Sequence, residues 1–421
     1  MSSPNEPRIA IVGAGPAGLT LALLLKHSPN PPAVTVFESD LGPDFRAQGG
    51  TLDLHGDTGQ AALKACGLFD EFEQYARYDG EALKVMDKDM TVYLSAPGTS
   101  KGSSRGRPEI DRSQLRRILV EGYGEGSIRW GVRVSGVEGR GKGKWILRLK
   151  DGGQEGPYDL VVGADGAWSH VREQLSDAKP IFAGLGGFDM MIENAKEEQP
   201  EISELVARGS VFSFSNGKGL TLQQRGDESL TCYAWSHKSE QWMKESDFDI
   251  HDPKAVKEHL RLQFQDWKHP LGKAPLATAD NAITPRSLYV LPVGHRWESK
   301  KGLTLLGDAA HLTSPFAGEG VNLAMTDAMK LAKAITDGLD QKDIYKHIRT
   351  FELDMFERAT PIQALSEEQG RLMFFTPGAP RATIAGWIRN ALGGPNFNSW
   401  WLPYVLPEWF IWAILKLVFR F

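Results

Sequence analysis

The first forty residues arrange short apolar runs and breaks in a pattern that predicts a strand, a helix and a second strand. Residues 8–12 form an apolar run closed by glycine, which is typical of a buried strand. Five leucines within 16–27 predict a helix that is buried on most sides. Residues 33–37 then alternate with β-branched side chains and end at Glu38. The chain is therefore predicted to begin with a βαβ unit.

Further along, the pattern changes character twice. Helical and strand periodicities in the next hundred residues predict helices at 59–68 and 111–121, a hairpin of strands 132–137 and 144–149, and a strand at 158–162. Asp111 stands where a helix N-cap is expected. From about 181 to 285 short alternating stretches predict an antiparallel sheet with one covered face, followed there by a helix at 254–267. A buried strand at 303–306 and a long helix at 321–338 come next.

These elements predict an α/β fold (α+β overall) in which a nucleotide-binding domain is interrupted by a sheet domain. We expect a Rossmann-like nucleotide-binding domain of discontinuous segments, with an inserted, mostly antiparallel sheet domain and a C-terminal helical region. The expected boundaries are 1–80, 101–180 and 286–370 for the first domain, 81–100 and 181–285 for the second, and 371–421 for the C-terminal segment.

Composition narrows the functional classes. Hydrophobic residues make up 41% of the 421 positions and charged residues 24%, as in ordinary globular proteins. A formal charge of −5 gives no basic face for a nucleic acid, so no nucleic-acid partner is expected. Cys66 and Cys232 are the only cysteines and predict neither a disulfide framework nor a thiolate metal cluster. The polar N-terminus lacks the apolar stretch of a secretory signal, so a cytoplasmic protein is expected.

The C-terminal segment departs from this composition. Residues 400–421 are almost wholly apolar and rich in tryptophan, with Pro403 and Pro407 limiting any helix to 408–421. Such a helix rises about 1.5 Å per residue, roughly 20 Å in all, against a bilayer core of about 30 Å. It therefore predicts packing on its own protein, a homo-oligomer contact or a peripheral membrane contact rather than a membrane span.

The first chemical motif follows the first predicted strand. Gly13 permits a tight turn, Gly15 lets the main chain approach a pyrophosphate, and Gly18 lets the helix pack close to the sheet. Glu38, twenty residues beyond Gly18, ends the second strand where it can accept hydrogen bonds from a ribose. The motif predicts a dinucleotide site and by itself leaves FAD and NAD both open.

Two more motifs each follow a predicted buried strand. Asp165 stands in Gly-Ala-Asp-Gly at the carboxyl end of one strand, an edge at which open α/β sheets bind ligands. Asp308 closes the other strand and can hold a ribityl or ribose hydroxyl. Glycines then allow close approach to a flat ring, and a helix N-terminus can stabilise negative charge on it. The candidates near such a ring are Pro315, Gly318, Gly320 and Asn322.

The three motifs together resemble the class A flavoprotein monooxygenases, the p-hydroxybenzoate hydroxylase type. The resemblance rests on GAGPAG with Glu38, on VVGADGAWSHVR and on GDAAHLTSPFAGEGVNLAMTDA, in that order over roughly 8–370. The stretches RAQGGTLDLHGDTGQAALKACGL and PEIDRSQLRRIL look closest to the TetX-type tetracycline-inactivating branch and its fungal relatives.

This resemblance implies an enzyme that binds FAD, is reduced by NADPH or NADH, and uses O2 to insert one oxygen atom through a flavin C4a-hydroperoxide. Glu38 would meet the adenosine ribose, Arg46 and Arg116 would lie along the FAD, and Asp308 would take the ribityl or pyrophosphate region. Arg112 competes with Arg116 for the role of the arginine on that helix. The motif of Asp165 is one that this family associates with both FAD and NADPH.

The substrate is expected to be a hydrophobic aromatic or polycyclic small molecule. Met191, Phe212, Gln224 and Phe316 are the candidate lining residues. In the TetX branch a glutamine and an arginine on the inserted sheet help to hold the substrate, and Met191 and Lys218 stand near those places here, so tetracycline is not expected to be the natural substrate. Gln223 and Arg225 are alternative polar contacts.

Other readings of the three motifs stay open. The alternatives are another flavin oxidoreductase, such as a reductase or dehydrogenase, and a non-catalytic binding protein with an FAD-type fold. The histidines show no metal-ligand spacing, so no metal site is expected.

Overall fold

A computed structural model describes residues 7–43, 49–102 and 106–393. The strands are β1 (Arg8–Val12), β2 (Ala33–Phe37), β3 (Thr51–Asp53), β4 (Leu83–Met86), β5 (Val92–Ala96), β6 (Glu109–Asp111), β7 (Ile128–Arg129), β8 (Val134–Gly139), β9 (Trp145–Leu149), β10 (Gln154–Tyr158), β11 (Leu160–Gly163), β12 (Ile181–Ile192), β13 (Ser210–Ser215), β14 (Lys218–Gln224), β15 (Leu230–His237), β16 (Ile283–Val290) and β17 (Leu303–Leu305). The α-helices are α1 (Pro16–Lys26), α2 (Gly59–Ala65), α3 (Phe69–Tyr75), α4 (Arg112–Tyr123), α5 (Ala195–Glu198), α6 (Pro200–Val206), α7 (Trp242–Glu245), α8 (Pro253–Gln263), α9 (Asp308–His311), α10 (Gly320–Asp340), α11 (Ile344–Gly370) and α12 (Ile384–Gly393).

A five-stranded parallel sheet forms the centre of the nucleotide-binding part. Its strand order is β17-β11-β1-β2-β7, so β1 lies in the middle and is fully buried beyond its first residue. Strands that are covered on both faces need continuous apolar runs, and this explains the unbroken Ile-Ala-Ile-Val of β1. Helix α1 is buried over most of its length between this sheet and α10. The predicted βαβ unit is confirmed.

The inserted part is a seven-stranded sheet in the order β16-β12-β15-β14-β13-β4-β5. Its neighbouring strands run antiparallel except for β13 and β4, which are parallel. One face carries apolar residues from alternate positions, including Phe188, Leu222 and Cys232, and packs on α6 and α8. The opposite face meets the nucleotide-binding part and the segment 371–388. The predicted covered antiparallel sheet is therefore present.

Several element boundaries differ from the predictions. Gly67, with φ +71°, ends the helix expected at 59–68 and separates α2 from α3. The strand expected at 158–162 is two strands, β10 and β11, and α8 stops at Gln263 rather than at 267. Strand β16 continues the seven-stranded sheet to Val290, five residues beyond the expected boundary at 285. Asp111 does take the N-cap position of α4, but its carboxylate accepts hydrogen bonds from the Gly226 amide instead.

Within the described ranges, no helix is both long and apolar enough to cross a membrane. The apolar stretch 400–421 lies outside the described residues, so the expectations for it stay predictions.

A buried carboxylate joins helix α11 to the parallel sheet. Glu352 on α11 is fully buried and accepts hydrogen bonds from Thr304 Oγ1 at 2.8 Å, Trp297 Nε1 at 3.1 Å and the Ser299 hydroxyl. Burial raises the pKa of Glu352, and these three donors offset part of that effect. The side chain thus holds α11 against Thr304 in the middle of β17 and against the segment that precedes this strand.

We expect Glu352→Ala to lower the free energy of unfolding by roughly 2–4 kcal/mol, because it leaves buried donors without an acceptor. Glu357→Ala changes an exposed residue of the same helix and is the matched control. Urea unfolding followed by circular dichroism would measure both variants. Equal stability of the two would show that the Glu352 hydrogen bonds contribute nothing net.

Candidate functional site

The three motifs meet at one edge of the parallel sheet. A Cβ atom built on Gly13 would lie 2.2 Å from the Ala164 carbonyl oxygen, in the second motif. One built on Gly307 would lie 3.4 Å from the Ala17 Cβ, so the third motif touches the start of α1. Arg172 Nη1 donates to the Ala309 carbonyl at 2.9 Å and joins the second motif to the third. The three motifs therefore lie next to one another at this edge of the sheet.

Two of the three glycines of the first motif are required by the protein's own packing. Gly13 has φ +110°, and a Cβ on Gly18 would lie 2.1 Å from the Gly13 carbonyl oxygen. Gly15 is different. Its φ of −80° and ψ of 178° suit any residue, and a Cβ there would meet no atom within 4 Å. The open space beside Gly15 lies at the N-terminus of α1, where free N–H groups favour an anion.

Glu38 is held in a fixed position at the end of β2. Its Oε2 accepts the Ala14 N–H at 2.8 Å and its Oε1 accepts the Asp40 N–H at 2.9 Å. Arg116 is buried beside it, with Nη1 donating to Asp40 Oδ2 at 2.8 Å and Nη2 lying 3.8 Å from Glu38 Oε2. Arg116 therefore braces Glu38 at one end of the space that Gly15, Asp308 and the sheet face of Tyr233 border, which we call the cleft.

Asp165 lies in a sharp turn after β11. Its Oδ2 accepts the His170 N–H at 2.9 Å, while its buried Oδ1 has no hydrogen-bond partner among the described residues. Burial raises the pKa of Asp165, although hydrogen bonds from Ser169 and from the main chain offset part of the effect. The turn thus keeps one unpaired acceptor.

Asp308 begins α9 directly after β17 and opens onto the cleft. Its side chain is exposed, and it forms no hydrogen bond with the described residues. The surrounding walls of protein raise its pKa, and the nearby His311 and Arg112 lower it in part. Arg112 is the first residue of α4 and is likewise exposed, so the competing arginine of α4 is the one that lies towards Asp308.

His311 and Asp327 form a buried polar chain beneath the third motif. His311 Nε2 lies 2.5 Å from Asp327 Oδ2, which also accepts the Gly307 N–H at 3.2 Å. Arg358 Nη1 donates to the other oxygen, Asp327 Oδ1, at 2.9 Å. Despite burial, the charges of His311 and Arg358 keep the pKa of Asp327 below its usual range. The chain fixes the loop that carries Asp308.

The side chain of Asn322 is fully buried and points into the loop 53–59. Its Oδ1 accepts the His55 N–H at 3.0 Å and the Thr58 hydroxyl at 3.1 Å, and its Nδ2 donates to the Asp53 carbonyl at 2.9 Å. The side chain of Asn322 therefore positions this loop against the N-terminus of α10.

The loop before α10 brings ionisable groups to the cleft. Gly318 has φ +69° and a Cβ there would lie 3.5 Å from Asp53 Oδ1, while Pro315 is exposed and Gly320 opens α10. His55 lies between two carboxylates, with Nε2 3.0 Å from Asp53 Oδ2 and Nδ1 3.5 Å from Glu319 Oε2. Burial raises the pKa of Glu319.

The predicted lining residues do not all lie on the face of the inserted sheet that meets the cleft. Met191 and Phe212 stand on this face, half-buried, and Phe316 packs on the same side with its ring centroid 5.3 Å from that of Phe374. Gln224 shares the register of Leu222, so it points to the opposite face, and its assignment as a lining residue is wrong.

Two other polar residues of β14, Gln223 and Lys218, also lie on opposite faces of the sheet. Gln223 faces the cleft, because a Cβ on Gly50 would lie 2.9 Å from its Oε1. Lys218 donates from Nζ to the Gln263 carbonyl of α8 at 2.7 Å and therefore lies on the far face.

The part of the chain that resembles known proteins includes all three motifs. A family model described as an FAD binding domain matches residues 6–343. The monooxygenase asqM of Emericella nidulans is 32% identical over 381 residues, which cover 80% of this chain and 85% of that protein. The chain belongs to the FAD-dependent monooxygenases.

Solved structures support the fold of this monooxygenase. Klebsiella pneumoniae HpxO, crystallised with FAD and uric acid, superposes with a TM-score of 0.72 at 18% identity, covering 97% of this chain and 96% of that one. The tetracycline destructase Tet(51) gives a TM-score of 0.66 at 18% identity, covering 93% and 97%. The resemblance to the class A enzymes is confirmed by the family and the relatives, and the fold is shared with a TetX-type enzyme.

Not every candidate of the monooxygenase can be placed. Arg46 lies outside the described residues, so its predicted role stays a prediction. Sequence reasoning also missed Asp189 and Tyr233, which face the cleft from β12 and β15. The alternation of β12 was the available signal, because Phe188 and Met190 are apolar on either side of Asp189.

The glycines of the first motif offer a matched pair of substitutions in the monooxygenase. We expect Gly15→Val to fold normally, since its side chain enters open space, and to lose FAD because that space faces the N-terminus of α1. We expect Gly18→Val to destabilise the fold by about 3 kcal/mol or more through its clash with the main chain.

Flavin absorbance of the purified variants, together with thermal unfolding followed by circular dichroism, would check both expectations. Full flavin occupancy in folded Gly15→Val would contradict the assignment of this turn to the cofactor.

Proposed function

We propose that this chain uses FAD, NAD(P)H and O2 to insert one oxygen atom into a hydrophobic aromatic or polycyclic small molecule. The observation that carries the proposal is that two different surfaces lie next to each other, since Arg112 is close to Asp308 of the third motif and to Asp189 of the inserted sheet. On one side lie the open Gly15 turn and the unpaired Asp308 and Arg112. On the other lies a sheet face with half-buried Phe212 and Met191. Such a cleft can hold a dinucleotide and a flat apolar molecule side by side.

The residues of the cleft fit FAD. The space beside Gly15 and the N-terminus of α1 would take the pyrophosphate, since main-chain N–H groups and the helix dipole both favour negative charge. Glu38, fixed by Ala14 and braced by Arg116, would accept hydrogen bonds from the adenosine ribose. At this end, the contacts with protein already hold the carboxylate where the ribose would need it.

The other half of the cofactor would lie towards Asp308. Its exposed carboxylate, with no hydrogen bond of its own, suits the hydroxyls of a ribityl chain, and Arg112 beside it can add a donor. Gly318 and Gly320 would allow close approach of the ring. The N-terminus of the 21-residue α10 would then stabilise negative charge on the reduced ring.

When bound, FAD supplies the redox chemistry, accepting electrons from NAD(P)H and activating O2. The protein's own residues bind, orient and exclude water. Phe212 and Phe316 would cover the ring side of the cleft with apolar surface, and low water content strengthens the electrostatic effect of the helix dipole. Asp165, whose Oδ2 accepts the His170 N–H, would keep the turn of the second motif in shape beside the cofactor.

We expect Asp308→Ala to bind FAD roughly five- to hundredfold more weakly, because it removes an acceptor for a charge-assisted hydrogen bond worth about 1–3 kcal/mol. Asp340→Ala, at the exposed end of α10, is the control. FAD titration followed by fluorescence would give both affinities. A fully yellow, active Asp308→Ala enzyme would contradict this reading of the third motif.

The catalytic proposal is tested by adding NADPH, and separately NADH, to the yellow protein under anaerobic conditions. We expect the visible flavin band to bleach, faster in the presence of a bound polycyclic phenol, and to return when O2 is admitted. With isotopically labelled O2, one labelled oxygen atom should appear in the product.

Each other outcome favours an alternative. Reduction of the flavin without a labelled product, with each of several polycyclic phenols, would favour a flavin reductase or dehydrogenase. A protein that never binds flavin would favour the non-catalytic binding protein.

A further inference from the structure

The cleft face of the sheet carries an unexplained carboxylate. Asp189 of β12 stands directly across from Tyr233 of β15, which in turn stands across from Thr221 of β14. Directly paired residues of neighbouring strands point to the same face. The row therefore crosses the sheet on the side opposite to Phe188 and Met190, which are buried against the helices.

Asp189 is available to a ligand. Its side chain is 18% exposed, and it forms no hydrogen bond with the described residues. Among the described residues its ion-pair partner is Arg286, whose Nε lies 3.8 Å from Asp189 Oδ2 and is too far away for a hydrogen bond. A half-buried carboxylate without hydrogen bonds costs free energy unless another donor reaches it.

The carboxylate lies close to the part of the cleft proposed for FAD. A Cβ built on Gly49 would lie 4.0 Å from Asp189 Oδ2 and 3.7 Å from Arg112 Cδ. Arg112 lowers the pKa of both Asp189 and Asp308, so it lies near both carboxylates. A molecule bound at Asp189 would therefore lie next to the flavin end of the cleft.

The surrounding charges select the kind of donor. Burial raises the pKa of Asp189, and Arg286, Arg112 and Arg225 lower it in part. Each guanidinium group has a carboxylate of its own nearby, since Arg286 lies by Asp189 and Arg112 by Asp308, so the region has no large excess of either charge that would favour an ionic ligand. Arg225 is in addition held by Asp111, at 3.8 Å, and by the Met191 sulfur, at 3.1 Å. A neutral N–H or O–H donor needs no such excess.

The neighbours of Asp189 suit a flat ring system. Tyr233 accepts the Gly50 N–H at 2.9 Å and so keeps its own proton for a ligand acceptor. Its ring lies parallel to that of Trp235, with centroids 6.2 Å apart and an angle of 11° between the planes. Phe212 and Phe316 continue the apolar surface on the same side. The face is thus polar at one edge and aromatic beyond it.

We propose that Asp189 determines specificity by accepting a hydrogen bond from a neutral N–H or O–H group on the edge of a flat, apolar substrate. The proposal rests on the proposed function, since it places that substrate beside the cofactor. It adds a chemical requirement: a substrate must carry a neutral donor, and blocking that donor should cost affinity.

Four naphthalenes that differ in one group test this requirement. They are 2-naphthol, 2-methoxynaphthalene, 2-naphthoate and 2-naphthylmethylammonium, which present a neutral donor, a blocked donor, an anion and a cation at pH 7. Each is titrated into the oxidised FAD-bound protein, and the change in the flavin spectrum gives the Kd. We expect 2-naphthol to bind about tenfold or more tightly than the other three, as the loss of one hydrogen bond to a charged group implies.

Asp189→Asn and Asp189→Ser should both reduce the ratio of affinities between 2-naphthol and 2-methoxynaphthalene towards one. Lys218→Met, on the far face of the sheet, is the control and should keep the ratio of the unchanged protein. Flavin content and circular dichroism of each variant show whether it is folded, and the serine variant serves if the asparagine variant is not.

Several results would overturn the proposal. Tightest binding of the naphthoate would assign recognition to the arginines, and tightest binding of the ammonium would assign it to an ion pair. Unchanged ratios in folded Asp189 variants, or no binding by any of the four compounds, would also contradict it. Because no NADPH or turnover is involved, these failures are distinct from a failure of flavin reduction by NAD(P)H, which would contradict the proposed function alone.

Discussion

The close crossing of α1 over the parallel sheet is the constraint on which the rest of the site depends. Gly13 and Gly18 bring the helix so near to the turn after β11 that neither position has room for a Cβ atom. This crossing places the N-terminus of α1 beside the ends of β11 and β17. The turn that carries Asp165 and the loop that carries Asp308 are both positioned by this crossing. Of the three glycines of the first motif, only Gly15 has room for a Cβ atom, and the proposed function assigns the space beside it to the cofactor.

Buried polar groups then lock the loops that this crossing brings together. Asp327 holds the loop of the third motif through His311 and the Gly307 N–H, and Asn322 holds the loop 53–59 against the start of α10. Each of these side chains is fully buried with its main acceptors occupied. Polar groups in this situation strongly specify one arrangement, since any displacement leaves them without partners. Asp189 and Asp308, which face the cleft, form by contrast no hydrogen bond with the described residues.

The βαβ unit, the convergence of the motifs and the covered sheet could be predicted from the sequence, because local glycine spacing and apolar periodicity encode them. The sequence could not show which of Arg112 and Arg116 faces the cleft and which is buried. Both lie on α4, and only the packing against Asp40 and Glu38 shows which of them is buried. Gln224 was misassigned because the strand pattern alone does not say which of two adjacent glutamines faces the cleft. Asp189 was missed because a single polar residue in an apolar strand has no motif.

The alternation that separates Gln223 from Gln224 also limits how such an enzyme can diverge. A one-residue insertion within β14 would move every side chain beyond it from the cleft-facing side to the helix-facing side or the reverse, which disrupts the core of the sheet. Changes of substrate range should therefore accumulate by substitution at every second position of β12, β14 and β15. Length changes are tolerated instead at turns such as Asn216-Gly217, where both residues have positive φ and the chain leaves the sheet.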